Sequence, residues 1–128
     1  MPETVLVSAC MVGVACRWDG RAATGDVPRG TLLPACPEVM AGFGVPRPAI
    51  EHTLDGRVVE VETGRDVTRS LEAACEEVVT LAIRAGVTRA VLKDRSPSCG
   101  TTHVWQHGVL VAGEGLLAPR LRAAGIAT

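Results

Sequence analysis

Four of the five cysteines stand in short motifs that each follow an apolar run: Ser8-Ala9-Cys10, Ala15-Cys16-Arg17, Ala35-Cys36-Pro37-Glu38 and Ser96-Pro97-Ser98-Cys99-Gly100. Such an arrangement reads as one cysteine-lined site, because open α/β sheets bind ligands in the crevice at the carboxyl ends of their strands. Thiolates serve as ligands for metals and clusters or as nucleophiles in sulfur transfer, and both roles need positive charge or a metal to stabilise the deprotonated form. Arg17 and Arg95 adjoin these motifs. The spacing departs from the paired Cys-x-x-Cys units of zinc ribbons and ferredoxins. By spacing alone, buried and inert thiols are an equally good reading.

Glu38 shifts that balance. A carboxylate two residues beyond Cys36, behind the stiffening Pro37, is placed to act as general base on a water held beside the cysteine's metal. The same residues suit a helix start with proline at its first position and an acid in its first turn, and both readings can hold together. Ser96 and Ser98 set two hydroxyls near Cys99; the plainer account is a serine-rich turn with local backbone hydrogen bonds. His52, His103 and His107 fall in loop or hairpin positions outside the cysteine motifs, where histidine is commonly a surface residue. Arg47, between Pro46 and Pro48, fits either an anion clamp or a structural ion pair.

The elements that must position these groups follow from apolar patterning. Residues 4–7 form a continuous, β-branched run, as expected for a strand buried on both faces, and deliver Ser8, Ala9 and Cys10. Residues 16–29 are polar with Gly20, Gly25 and Pro28, hence mostly loop, and Leu32 and Leu33 lead into Cys36. Asp55-Gly56 before Val58, Val59 and Val61 suits a hairpin with a type I′ turn. Leu71, Ala74, Cys75, Val78, Ala82 and Ala85 recur at helical spacing over 68–85, with Asp66 or Thr68 as N-cap and Gly86 as the stop. That stripe assigns Cys75 to the core. Residues 88–92 form a second central strand delivering the loop 93–100, so strand, helix and strand suggest a parallel crossover. Val104-Trp105 and Val109-Leu110-Val111 read as a peripheral hairpin, and a last helix runs from about Pro119 to Gly125. The expected fold is α/β: a single small domain over 1–128 with a mostly parallel central sheet flanked by helices and the site at the strand carboxyl ends.

Composition excludes several classes. At 128 residues and 47% hydrophobic the chain can build one core without disulfides. The aromatics are Trp18, Phe43 and Trp105, which gives no platform for single-stranded nucleic acid, and a formal charge of −1 with scattered basic residues gives no footprint for nucleic acid or an anionic membrane. No apolar run approaches the roughly 20 residues of a membrane helix. The run from Val5 to Cys16 follows Glu3, not a basic segment, and reads as mature structure, so the expected location is cytoplasmic. In that reducing compartment five cysteines argue for ligands or reactive thiols.

The ordered set Val-Ser-Ala-Cys10, Cys16-Arg-Trp-Asp-Gly20, Cys36-Pro-Glu-Val39, Pro46-Arg-Pro48, Gly64-Arg-Asp-Val-Thr68, Leu92-Lys93, Arg95-Ser-Pro-Ser-Cys-Gly100 and Gly125-Ile126 resembles the thiouracil desulfurase family over nearly the whole chain. Trp18 stands where tyrosine is frequent and Ala49 where a second proline is common. The resemblance implies a [4Fe-4S] cluster held by three cysteines, carried over to Cys10, Cys36 and Cys99, with Cys16 as alternative ligand. It implies a catalytic carboxylate at Glu38 and a catalytic serine at Ser98 or Ser96, Ser98 preferred. It further implies non-redox desulfuration of a small thiolated nucleobase such as 2-thiouracil, giving the oxo base and sulfide. A cysteine persulfide sulfur carrier and a non-catalytic metal-binding module are the competing classes.

Overall fold

The computed structural model describes residues 3–23 and 25–128. Its centre is β1, Thr4–Ser8, a strand whose Val5, Leu6 and Val7 are buried on both faces. It is flanked in parallel by β2, Thr31–Ala35, and β5, Arg89–Val91, in the order β2-β1-β5. The register pairs Ser8 with Ala35 and Val7 with Val91, so the three carboxyl ends emerge along one edge. A 3₁₀ turn, Ala9–Val12, follows β1 and carries Cys10. Cys36 directly follows β2, and the loop 92–102 that follows β5 carries Cys99. Parallel pairing is what gathers the cysteine motifs.

The helix α1, Pro37–Met40, is a single turn with Cys36 at its cap and Pro37 at its first position. The long helix α2, Thr68–Arg84, buries Leu71, Ala74, Cys75, Val78 and Ala82 along one stripe, as its spacing requires. Its cap position is Val67 and not Asp66 or Thr68; Asp66 stands one residue earlier and accepts the Thr68 N–H at 2.9 Å. It ends in a Schellman motif: Gly86, at φ 72°, donates to the Ile83 carbonyl at 3.1 Å, and Val87 to that of Ala82 at 3.0 Å. The helix α3, Leu117–Ala123, starts two residues before Pro119 and packs Leu117 and Leu121 onto α2. Each such fully buried leucine contributes about 1.5–3 kcal/mol. Among the described residues no helix is long and apolar enough to cross a membrane.

The α/β class and the mostly parallel central sheet are as the sequence implies. The two hairpins go further and join into a second sheet. Strands β3, Ile50–His52, and β4, Val58–Glu60, pair antiparallel, as do β6, His103–Gln106, and β7, Val109–Ala112. The order is β4-β3-β6-β7, with β3 and β6 parallel through His52 and Gln106. The β3–β4 connection is the five-residue loop 53–57, not a type I′ turn: of Asp55 and Gly56 only Gly56 takes positive φ, 84°, where a type I′ turn needs both. The two-residue turn belongs to His107-Gly108, at φ 49° and 76°, which closes β6–β7.

Candidate active site

Above the carboxyl edge of the parallel sheet lies a cavity of about 610 Å³ lined by Cys10, Cys16, Cys36, Cys99, Glu38 and Ser98 among others. All five cysteines are free thiols. Cys75 is fully buried on α2, its thiol pushed up to about 12 by burial, and it is absent from the cavity wall. Cys36 is the hub of the other three: its sulfur donates to the Cys16 carbonyl at 3.8 Å, and it stands close enough to Cys10, Cys16 and Cys99 to raise the thiol of each. Burial, reinforced by Cys36, raises Cys10 and pushes Cys16 up to about 12; burial also pushes Cys99 to about 12. Lys93 and Arg17 pull Cys10 the other way, and Arg47 does so at Cys16. Thiols in this setting become thiolates by exchanging their protons for a metal.

Among the described residues no three His, Cys, Asp or Glu side chains converge closely enough to hold a single metal ion. A cubane cluster makes a different demand, since each thiolate binds its own iron and the sulfurs must stand apart around a common centre. Soft, buried sulfur donors in a large cavity with basic neighbours fit such a cluster.

Glu38, the second residue of α1, is 7% exposed. Its Oε1 accepts from Arg47 Nη2 at 3.2 Å and Nε at 3.3 Å, an ion pair whose side chains are 9% and 3% exposed. Arg47 also donates to the Gly44 carbonyl at 3.0 Å. A buried carboxylate that lost this partner would be destabilised by about 3–5 kcal/mol. The other oxygen, Oε2, accepts from Ser98 Oγ at 2.9 Å across 60 residues of chain. Ser98 is 1% exposed. Ser96 Oγ lies 3.1 Å from Ser98 Oγ and accepts the N–H groups of Ser98 and Cys99 at 3.2 and 3.0 Å. With Ser98 donating to Glu38, the chain of donors runs Ser96 to Ser98 to Glu38.

The structure thus brings together Cys10, Cys16, Cys36, Cys99, Glu38, Ser96 and Ser98, and leaves His103 and His107 outside the cavity wall. Arg17 and Arg95 line the cavity as their adjacency to the motifs suggests, Arg95 at a positive φ of 67°. Arg47 resolves to an ion-pair partner, a role its place between two prolines left open. Sequence reasoning missed the wall made by Trp18 and Trp105, the contact of His52 Nε2 with the Pro97 carbonyl at 2.9 Å, and the approach of Gly115 to the Ser98 backbone. The exposed aromatics carried a signal, because they are the only tryptophans of the chain.

A solved structure described as a [4Fe-4S]-dependent thiouracil desulfidase, TudS, superposes with a TM-score of 0.88 at 37% identity over 98% of this chain and 88% of that one. An uncharacterised protein of Bacillus subtilis (strain 168), YbbK, is 29% identical over 94% of this chain and 91% of its own length. The family model for 2-thiouracil desulfurase matches residues 5–128, and the chain belongs to that family.

Proposed function

We propose that the protein is a desulfurase of thiolated nucleobases that hydrolyses a thiocarbonyl in a [4Fe-4S]-dependent reaction: the thio-base and one water give the oxo base and hydrogen sulfide, with no net electron transfer. The observation that carries this reading is the 2.9 Å contact of Glu38 and Ser98, groups 60 residues apart in the chain, inside a pocket lined by four thiols. Cys10, Cys36 and Cys99 would hold the cluster, with Cys16 as the alternative ligand. When bound, the cluster supplies a Lewis-acidic iron for the soft thiocarbonyl sulfur.

The rest of the work falls to side chains. Arg47 occupies Oε1 of Glu38 and leaves Oε2 as the oxygen that takes a proton from the attacking water. Ser98, already bound to Oε2, orients that water toward the thiocarbonyl carbon, and Ser96 fixes Ser98 from behind. Cytoplasmic placement is consistent with free thiols in a small-molecule pocket. A persulfide carrier fits less well, because a carrier thiol must meet a partner's sulfur, and Cys10, Cys16 and Cys99 are buried, which leaves Cys36 alone of the cavity thiols partly exposed.

Anaerobic loading should give about four irons per chain. The loaded protein should then convert 2-thiouracil to uracil and sulfide in equal amounts without an electron donor, with the new oxygen drawn from labelled water. Turnover that survives removal of iron, or that requires a reductant, would overturn the proposal.

A further inference from the structure

Two peptide units flank the Ser98 Cα, and each is fastened at both edges. In the unit joining Pro97 and Ser98, the carbonyl lies 2.9 Å from His52 Nε2 and the N–H donates to Ser96 Oγ at 3.2 Å. In the unit joining Ser98 and Cys99, the carbonyl accepts the Leu117 N–H at 3.0 Å and the N–H donates to Ser96 Oγ at 3.0 Å. Fixing both planes fixes the direction of the Ser98 Cα–Cβ bond, which is what lands the hydroxyl 2.9 Å from Glu38 Oε2. Three of these fastenings come from the loop itself or from the start of α3. The fourth is a side chain reaching over from the second sheet: His52 closes β3 and does not line the cavity. A carbonyl only accepts, so Nε2 carries the proton, in the neutral Nε2–H tautomer and in the imidazolium alike.

We propose that His52 is a positioning residue for the desulfuration, aiming the Ser98 hydroxyl at Glu38 through the Pro97 carbonyl. The inference rests on the reading of Glu38 and Ser98 as base and water-orienting hydroxyl. It also gives the second sheet a part in the reaction, since β3 then serves as the fixed post against which the serine loop is set.

The test compares His52→Leu, which keeps bulk but loses the donor, with His52→Gln, whose terminal amide nitrogen reaches about as far as Nε2 and donates. Both are made in the full chain and loaded anaerobically. In His52→Leu, kcat for 2-thiouracil should fall about tenfold or more with KM and iron content unchanged, the pattern of a misaimed catalytic group. In the metal-free protein, amide exchange at Ser98 and Cys99 should accelerate by about three- to tenfold, the effect of one neutral hydrogen bond on local opening. His52→Gln should restore both readouts to within about threefold. Should the leucine variant fail to fold, His52→Asn, whose shorter amide stops short of Pro97, takes its place. Wild-type kcat and exchange in the donor-less variant would overturn the inference, as would a glutamine variant no better than leucine. Failure of the desulfurase reading itself would appear differently, as a loaded wild-type protein without turnover.

Discussion

Replacing Gly115 by alanine tests whether the serine loop must sit where it does. Gly115 donates its N–H to the Gly100 carbonyl at 2.8 Å, just before α3 begins. A Cβ there would lie 2.5 Å from both the carbonyl carbon and oxygen of Ser98 and 2.9 Å from the Gly100 nitrogen, where ordinary contact starts at 3.4 Å. The colliding atoms are backbone on both sides, so no side chain can swing away, and the two segments must part by about 0.9 Å. If the Ser98 side yields, its hydroxyl moves with it, and a shift of about 0.9 Å carried along the 2.9 Å contact with Glu38 would stretch it to as much as about 3.8 Å, beyond hydrogen-bond reach. Overpacking of this kind costs about 1–3 kcal/mol, against a total of about 5–15 kcal/mol for a domain, so the variant remains folded. Displacement of a catalytic group by about 1 Å costs about 10²-fold in rate. The assay is turnover of 2-thiouracil by the loaded variant, with iron content and a urea midpoint measured beside it. A folded Gly115→Ala protein with full iron and a rate within about twofold of wild type would refute the claim that this loop geometry governs the reaction.

Three further outcomes follow from the same geometry. Glu38→Gln keeps the size and the bond to Ser98 but removes the charge, so the rate should fall about 10²- to 10⁴-fold at unchanged iron content, as read by turnover and metal analysis. Cys99→Ala should abolish cluster loading while Cys75→Ala retains it, because Cys75 lies in the core and not on the cavity wall; the reverse result in iron analysis would reassign the ligands. For Asp94, burial acts to raise the carboxyl, but hydrogen bonds from the Thr102 hydroxyl and the N–H groups of Thr102 and His103 outweigh it and hold the group below the ordinary carboxylate range. A depressed folded value contributes stability above the unfolded value of about 3.9 and loses it as pH falls through the folded one, so the urea midpoint should drop below about pH 4, and Asp94→Asn should flatten that drop.

What was legible in the sequence was whatever a single segment decides alone. β1 is an unbroken apolar run, α2 carries its stripe and its glycine stop, and both could be read without knowing their partners. β2 carries no strand signature of its own: Thr31–Ala35 is half-exposed and contains Pro34, a residue tolerated there because β2 is the edge of its sheet. The second sheet was hidden for a related reason, since its hairpins are joined by one parallel pair, His52 with Gln106, that no local pattern announces. The site divides the same way. Its thiols, carboxylate and serines were visible as motifs, whereas Arg47, His52 and Gly115 act only through groups 9 to 45 residues away or, for Gly115, through a backbone contact that a missing Cβ permits.

The motifs themselves carry a rule for how such a site keeps its dimensions. Two of the loops each pair a thiol with an oxygen that the proposed reaction uses: Cys36 with Glu38 two residues on, and Cys99 with Ser98 directly before it. Connectivity of one or two residues is the shortest ruler a chain offers, so each oxygen is registered to its neighbouring thiol locally, whatever the rest of the fold does. What local chain cannot set is the distance between the two loops. That is fixed by the parallel register that brings the ends of β2 and β5 to either side of β1, and closed by the hydrogen bond from Ser98 to Glu38. The buried charge this bond helps to satisfy requires a counterion, and Arg47 supplies it at the other oxygen, so that Oε1 is held by the guanidinium and Oε2 faces the Ser98 hydroxyl. In the proposed reaction a base assembled in this way keeps its aim only while both loops stay in register, so the contacts that hold the serine loop bear on the rate along with the residues assigned to the chemistry.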